Sequence, residues 1–428
     1  MNKSFLKYNI ATESTSFGVR ILIQLFFPPL MLFYWGKDNF DLWLFLFAIP
    51  AFVAMFQISI IAPIRNHMLK LYREKKYSKL NNIYQNAFFL VVLNILLITS
   101  IATIYMVINF SNPFIYENLN LIIIAFTCLL LNLFASNSHA ALSYKGSVKE
   151  HLKIEIFFDI IINFTVPVSY YIFSSFDNVF SLVLVLTLLK TYVLYSRVND
   201  KYLDKFITFK LINFKDIKKV INLSLGFNFH ILSTIIKGPG LIILLGTSNN
   251  LSLVGMISTA RTMFYYLPLK FFDVFERSYF LEFTNIINTK KLNKDFRKHY
   301  LYLLIFCTIG LLVFMLFSNF FGMYIYNYWT HNFYKISSEL IFLITLDILL
   351  IIIGSFLILP LLSLNKYNYI GLFELIINIV TFLILFSNNF FNNLIYGYKI
   401  IIISSSLILA VKFIYSLSIL KNYAVRNK

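Results

Sequence analysis

Twelve apolar runs, each near the length a helix needs to cross a bilayer, leave this chain few folds to choose from. They cover about 16–35, 40–64, 83–109, 119–142, 154–176, 178–196, 222–246, 250–271, 300–322, 337–362, 369–388 and 395–420. A spanning helix takes roughly 20 predominantly apolar residues. In hydrocarbon its backbone must satisfy its own N–H and C=O groups, which a helix does and an open strand does not. The expectation is an all-α membrane protein of twelve transmembrane helices. A composition 59% hydrophobic and 13% charged agrees, as does a mean hydropathy of +0.75. The first fifteen residues show no small-residue cleavage site, so no cleavable signal peptide is read there. Cys128 and Cys307 both fall inside runs and suggest neither a disulfide framework nor a metal site.

A net charge of +18 would by itself suggest a nucleic-acid partner. The positions of the charges exclude that. Of 37 Lys and Arg, 29 fall in the two termini and the loops 65–82, 143–153, 197–219, 270–299 and 363–368. The alternate loops hold only Lys37 and Lys335. This is the positive-inside pattern, and it puts both termini in the cytoplasm. The outer loops are short, the longest about 323–336, which leaves no room for a sizeable extracytoplasmic domain.

The long basic loop divides the chain into residues 1–210 and 211–428, six runs in each. Asp159-Ile-Ile-Ile-Asn163 in the fifth run has a counterpart in Glu374-Leu-Ile-Ile-Asn378 of the eleventh. An even number of crossings gives both halves one orientation. The expectation is two six-helix bundles related by a pseudo-twofold axis along the membrane normal, with a central cavity and a site near the midplane.

Lys237 lies near the middle of the seventh run and is followed at once by Gly238-Pro239-Gly240. A cation at that depth costs about 2.5–3.5 kcal/mol on insertion scales. Pro239 removes a backbone donor at the same level. A buried charge beside a broken helix is tolerated only where protein or water surrounds it, which points to transport or binding. Gly226, His230, Ser233 and Lys237 recur at helical spacing as one polar stripe. Arg261 sits mid-way along the eighth run with Ser258, Thr262 and Tyr265 on its face. A guanidinium suits phosphate; pairing with a buried acid is the alternative. Arg20 is only about four residues inside its run and is either a site cation or one that reaches the surface. Lys190 and Lys412, near cytoplasmic helix ends, read as anchors. The acids are Asp159, Asp347 and Glu374. Each either pairs with a cation, Arg261 or Lys237 for Asp347, or couples transport to H⁺ or Na⁺. No phosphate-binding Gly-x-x-x-x-Gly-Lys loop, His-Glu-x-x-His or metal-spaced cysteine set is present.

The stretch Val254-Gly-Met-Ile-Ser-Thr-Ala-Arg261-Thr-Met-Phe resembles bacterial polysaccharide flippases of the O-antigen type, within the multidrug/oligosaccharidyl-lipid/polysaccharide exporter superfamily. Ser258-Thr-Ala-Arg261-Thr262 fits that family's eighth-span motif. Leu281-Glu282-Phe283-Thr284 fits its cytoplasmic-end element imperfectly, with Leu for Pro and Thr for Ser. The resemblance is most specific over about 220–300. It implies a non-enzymatic flippase that moves undecaprenyl-pyrophosphate-linked oligosaccharide, of O-antigen or capsule type, to the outer leaflet of the bacterial inner membrane by alternating access.

Under that resemblance Arg261, Lys237, Arg20, His230, Ser258 and Tyr265 are the substrate-binding candidates, and Asp347, Asp159 and Glu374 the ion-coupling ones. No cofactor is expected beyond a coupling H⁺ or Na⁺. The expected partners are the lipid-linked substrate, the membrane, and polysaccharide polymerase and chain-length proteins. The chain itself is expected to be a monomer. The alternatives are a multidrug or cation antiporter of the same superfamily and a membrane-embedded glycan polymerase or ligase. An antiporter of cations would favour buried acids over buried bases. A polymerase or ligase would carry a large outer loop.

Overall fold

The computed structural model describes residues 3–53, 74–108, 116–143, 149–198, 212–246, 251–276, 294–363, 367–387 and 393–426, with isolated positions between 64 and 72 and at 203. Among the described residues there are helices and no strands. In chain order these are α1 (Lys3–Val53), α2 (Tyr77–Ile108), α3 (Leu119–Ser143), α4 (Lys149–Phe173), α5 (Phe176–Ser196), α6 (Phe214–Lys237), α7 (Pro239–Gly246), α8 (Leu251–Arg261), α9 (Lys294–Trp329), α10 (Ser338–Ser363), α11 (Asn368–Ser387) and α12 (Leu394–Arg426). A π-helical turn, Thr262–Tyr266, follows α8 directly, and helix continues over 267–276.

Among the described residues, ten segments are long and apolar enough to span a membrane. They differ from the twelve expected in two places. The first two runs merge in α1, whose arms meet at Gly36 with φ 72° and ψ 175°, a conformation open essentially to glycine alone. The eighth run is interrupted by the π turn. Many large apolar side chains are exposed, Phe33, Val107 and Phe320 among them. On a soluble domain such surface would be a liability; on a spanning helix it faces lipid. The protein is an all-α, multi-pass membrane protein.

The chain forms two compact units. One contains Met1–Ile23 and Leu42–Ile235, the other Gln24–Asp41 and Ile236–Lys428. In the first unit α3 packs against α5, and α4 against α5. Its apolar core near the α2 start joins Ile64, Met68, Leu80, Tyr84, Ala140 and Val198. In the second, α10 packs against both α9 and α12, and Ile344, Ile348, Ile352 and Phe356 of α10 are almost fully buried. A helix apolar on all sides belongs in the middle of its bundle.

Residues 24–41 are tied to the second unit by particular contacts. The Trp329 indole donates to the Leu25 carbonyl at 2.7 Å. The Tyr334 hydroxyl donates to the buried carboxylate of Asp41. Gly255 of α8 lies against that pair so closely that a Cβ there would overlap Asp41 Oδ1 and the Tyr334 hydroxyl.

Candidate functional site

The α6 helix stops at Lys237 because Gly238 and Pro239 follow, and Pro239 opens α7, a position where its missing N–H costs nothing. The Lys237 side chain turns into the second unit. Its Nζ donates to Asp347 Oδ1 of α10 at 2.6 Å and to Ser405 Oγ of α12 at 2.5 Å. Ser405 in turn donates to the same carboxylate oxygen at 2.6 Å. Asp347 is only 1% exposed. A carboxylate so placed must be neutralised or heavily hydrogen-bonded, and two other helices, α6 and α12, contribute to doing so. Of the two cations expected for it, Lys237 makes the pair.

Arg261 ends α8 and is only 2% exposed. Its Nη1 donates to the Lys237 carbonyl at 3.1 Å, filling an acceptor at the helix break. The guanidinium lies 4.5 Å from the Tyr265 ring centre and 5.6 Å from that of Tyr266, within range of a cation–π attraction. Both rings come from the π turn, where the Leu267 N–H bonds Thr262 O. Such turns concentrate at functional sites. Tyr398 lies beside the guanidinium as well. Among the described residues no carboxylate oxygen is within 4.0 Å of it. The cluster therefore holds two fixed cations, Lys237 and Arg261, against one acid, Asp347.

A cavity of about 20 Å³ adjoins Lys237, lined also by Ile236, Leu244, Asn378, Thr381 and Ile401. That is room for one water. Nearby, Thr259 Oγ1 lies 2.7 Å from the Tyr326 hydroxyl, which also donates to Met256 O at 3.1 Å. These bonds pin α8 to α9.

Two further charge clusters are present among the described residues, the first buried and the second part-exposed. In the second unit Lys412 pairs with Glu374, and the Tyr367 hydroxyl donates to Glu374 at 2.6 Å. Lys412 was expected at the membrane edge but is enclosed. Gly354 of α10 admits its stem, and a Cβ there would sit 3.1 Å from Lys412 Cδ. In the first unit Arg20 bonds Glu155 at 2.9 Å and reaches Asp159 at 3.4 Å, while Lys190 reaches Asp159 at 3.4 Å. Lys190 is thus an ion-pair partner rather than a free anchor. His139 Nε2 lies 3.2 Å from Glu155, and its ring stacks on His151 at 4.9 Å.

Lys237, Arg261, Tyr265 and Asp347 come together, as separate sequence signals. Ser258 is half-buried, and its carbonyl accepts from Thr262 Oγ1 at 2.9 Å. Glu374 belongs to the Lys412 pair, and Arg20 and Asp159 to the first-unit cluster. His230 is half-buried on α6 in the first unit. Residues 277–293, with the Leu281–Thr284 element, lie outside the described residues. Ser405, Tyr266 and Tyr398 carry no signal in sequence beyond being polar or aromatic within a run. His139, His151 and Glu155 fall at run ends, where polar residues are ordinary.

No family model matches the chain, and no curated protein does. Solved structures do. The chain is similar to a transporter of the MOP superfamily from Pyrococcus furiosus, described as having a binding pocket of reversed polarity, with TM-score 0.67 at 13% identity over 98% of this chain and 96% of that one. It is similar to a multidrug resistance MATE family transporter in its outward-facing conformation, with TM-score 0.66 at 13% identity over 98% and 96%. It is also similar to the lipid II flippase MurJ, with TM-score 0.59 at 15% identity over 96% and 87%. The class is therefore that of multi-pass, all-α membrane proteins with the fold of MOP-superfamily transporters. These neighbours are transporters and flippases, not enzymes.

Proposed function

We propose that this chain is a flippase for lipid-linked oligosaccharide, moving an undecaprenyl-pyrophosphate-borne glycan from the cytoplasmic to the outer leaflet of a bacterial inner membrane by alternating access. The observation that carries this is the surplus cation of the Lys237–Asp347–Arg261 cluster. Lys237 is spent on Asp347. Arg261 is enclosed by two tyrosine rings and a carbonyl, with no acid at ion-pairing distance among the described residues. A buried guanidinium in that state is stabilised by an arriving anion, and its planar donor fork matches phosphate oxygens. The tyrosine faces offer surfaces for sugar rings. The similarity in fold to MurJ supports the reading, since that neighbour is a lipid II flippase.

A glycan of O-antigen or capsule type, monomeric action, association with polymerase and chain-length proteins, cytoplasmic termini and coupling to H⁺ or Na⁺ belong to the same proposal. Asp347, Asp159 and Glu374 remain its coupling candidates, each reached by a cation that a coupling ion would displace. A multidrug antiporter is the second reading, because MATE transporters share the fold equally. A cationic substrate, however, meets a net positive cluster, which opposes it.

The test is a deletion strain complemented with the native chain or with Arg261→Gln. The expected result is that deletion, and Arg261→Gln at normal membrane abundance, accumulate lipid-linked glycan in the cytoplasmic leaflet. Unimpaired surface glycan with Arg261→Gln, together with loss of resistance to a cationic dye on deletion, would transfer the assignment to the antiporter.

A further inference from the structure

The first unit holds a cluster that the pyrophosphate reading does not use. His139 in the last turn of α3 faces His151 and Glu155 on the first two turns of α4. One ligand atom from each lies within 4.8 Å of the other two. His151 and Glu155 are four residues apart, on one helix face, and His139 closes the set from the neighbouring helix. The rings stack at 4.9 Å with an interplanar angle of 25°. His139 Nε2 stands 3.2 Å from Glu155 Oε1.

We infer that His139, His151 and Glu155 form a site for a divalent transition metal, of which Zn²⁺ is the type. The donor set decides the class: imidazoles select zinc, nickel and copper over magnesium and calcium. Two histidines and one carboxylate make a three-ligand set that leaves a fourth position for water or an anionic oxygen. Metal–ligand bonds of about 2.0–2.2 Å require the side chains to draw inward, a rotamer adjustment at helix ends.

Arg20 supplies the outer contact that such a carboxylate needs. It holds Glu155 Oε2 at 2.9 Å, leaving Oε1 turned toward His139, the kind of support that orients metal-bound carboxylates. Arg20 and Lys190 are also the cations that oppose a metal here. Both are met by Asp159, at 3.4 Å each, so that acid offsets much of their repulsion. The site belongs to the first unit and Arg261 to the second, and its assignment does not depend on the flippase reading.

The experiment uses the full chain purified in detergent, stripped with chelator and titrated with Zn²⁺ alone by calorimetry, then with Co²⁺ followed by visible absorption. The expected result is one equivalent per chain, with Co²⁺ bands of a four-coordinate site. His139→Ala and His151→Ala should each weaken binding by about tenfold or more, on the scale of losing a supporting group, while Arg261→Gln leaves it unchanged. A measurement on the native chain covers the case of poorly folding variants: Zn²⁺ should protect His139 and His151 from diethyl pyrocarbonate, read by mass spectrometry, and leave His331 reactive. Absence of binding, binding indifferent to both histidine changes, or no selective protection overturns the site.

Discussion

Lys237 and Arg261 are both cations buried in the second unit, yet they do different work. Lys237 neutralises Asp347, so removing it leaves a buried acid without its counter-charge. Breaking a buried pair from one side costs about 3–5 kcal/mol, whereas replacing both members with apolar groups is often neutral. Lys237→Met should therefore lower the thermal midpoint of the detergent-solubilised protein markedly, and the double change Lys237→Met with Asp347→Leu should recover most of the loss. A double variant no more stable than the single one would show that Asp347 is supported by something else. Arg261 should behave in the opposite way. Its stacked, planar group is not replaced by an ammonium, so Arg261→Lys is expected to keep the fold and reduce glycan translocation by about tenfold or more, as for a lost charge-assisted hydrogen bond. Equal translocation at equal abundance would remove Arg261 from the site.

At the scale of elements, two glycines carry constraints of different kinds. Gly36 joins the arms of α1 at φ 72° with open space where a Cβ would be. Gly36→Ala should cost about 1–3 kcal/mol through backbone strain alone, seen as a lower unfolding temperature. Gly255 has ordinary helical geometry but no space. Gly255→Ala must push α8 away from Asp41 and Tyr334, and overpacking of this kind costs about 1–3 kcal/mol. Because α8 also holds Arg261, the same change should impair translocation at temperatures where the protein is still folded; unaffected transport and stability would contradict the close approach. The break at Gly238-Pro239 was legible from sequence, since proline in a run has a known effect on the helix ladder. The π turn was not. Thr262–Tyr266 reads as an ordinary part of an apolar run, and nothing in its spacing marks the π turn that sets Tyr265 and Tyr266 beside Arg261. The end positions of Lys190 and Lys412 likewise misled, because position along a helix does not say which way a stem points or whether a Gly354 leaves room for it.

For the whole molecule, the alternation of basic and neutral loops carries a topology that can be measured directly. Reporter fusions after Lys428 and within 197–219 should both report the cytoplasm, and one near Asn332 the outer side. A fusion reporting the opposite side at either basic segment would overturn the orientation. The shared architecture with MOP transporters spans nearly the whole chain at 13% identity, a level at which the pattern of apolar runs persists while individual residues do not.

The linear sequence determined that this chain is a multi-pass helical membrane protein, that its polar features concentrate around a broken seventh run, and that its eighth run carries an arginine. Those properties depend on composition and spacing within one segment, where helical periodicity relates neighbours directly. Tertiary structure alone decided which charge meets which. Lys237 finds Asp347 across 110 residues and Ser405 across 168, and Arg20 finds Glu155 across 135. Spacing within a helix says nothing about the depth and rotation at which one helix packs against another, and those two quantities leave Lys237 paired and Arg261 with a charge to offer.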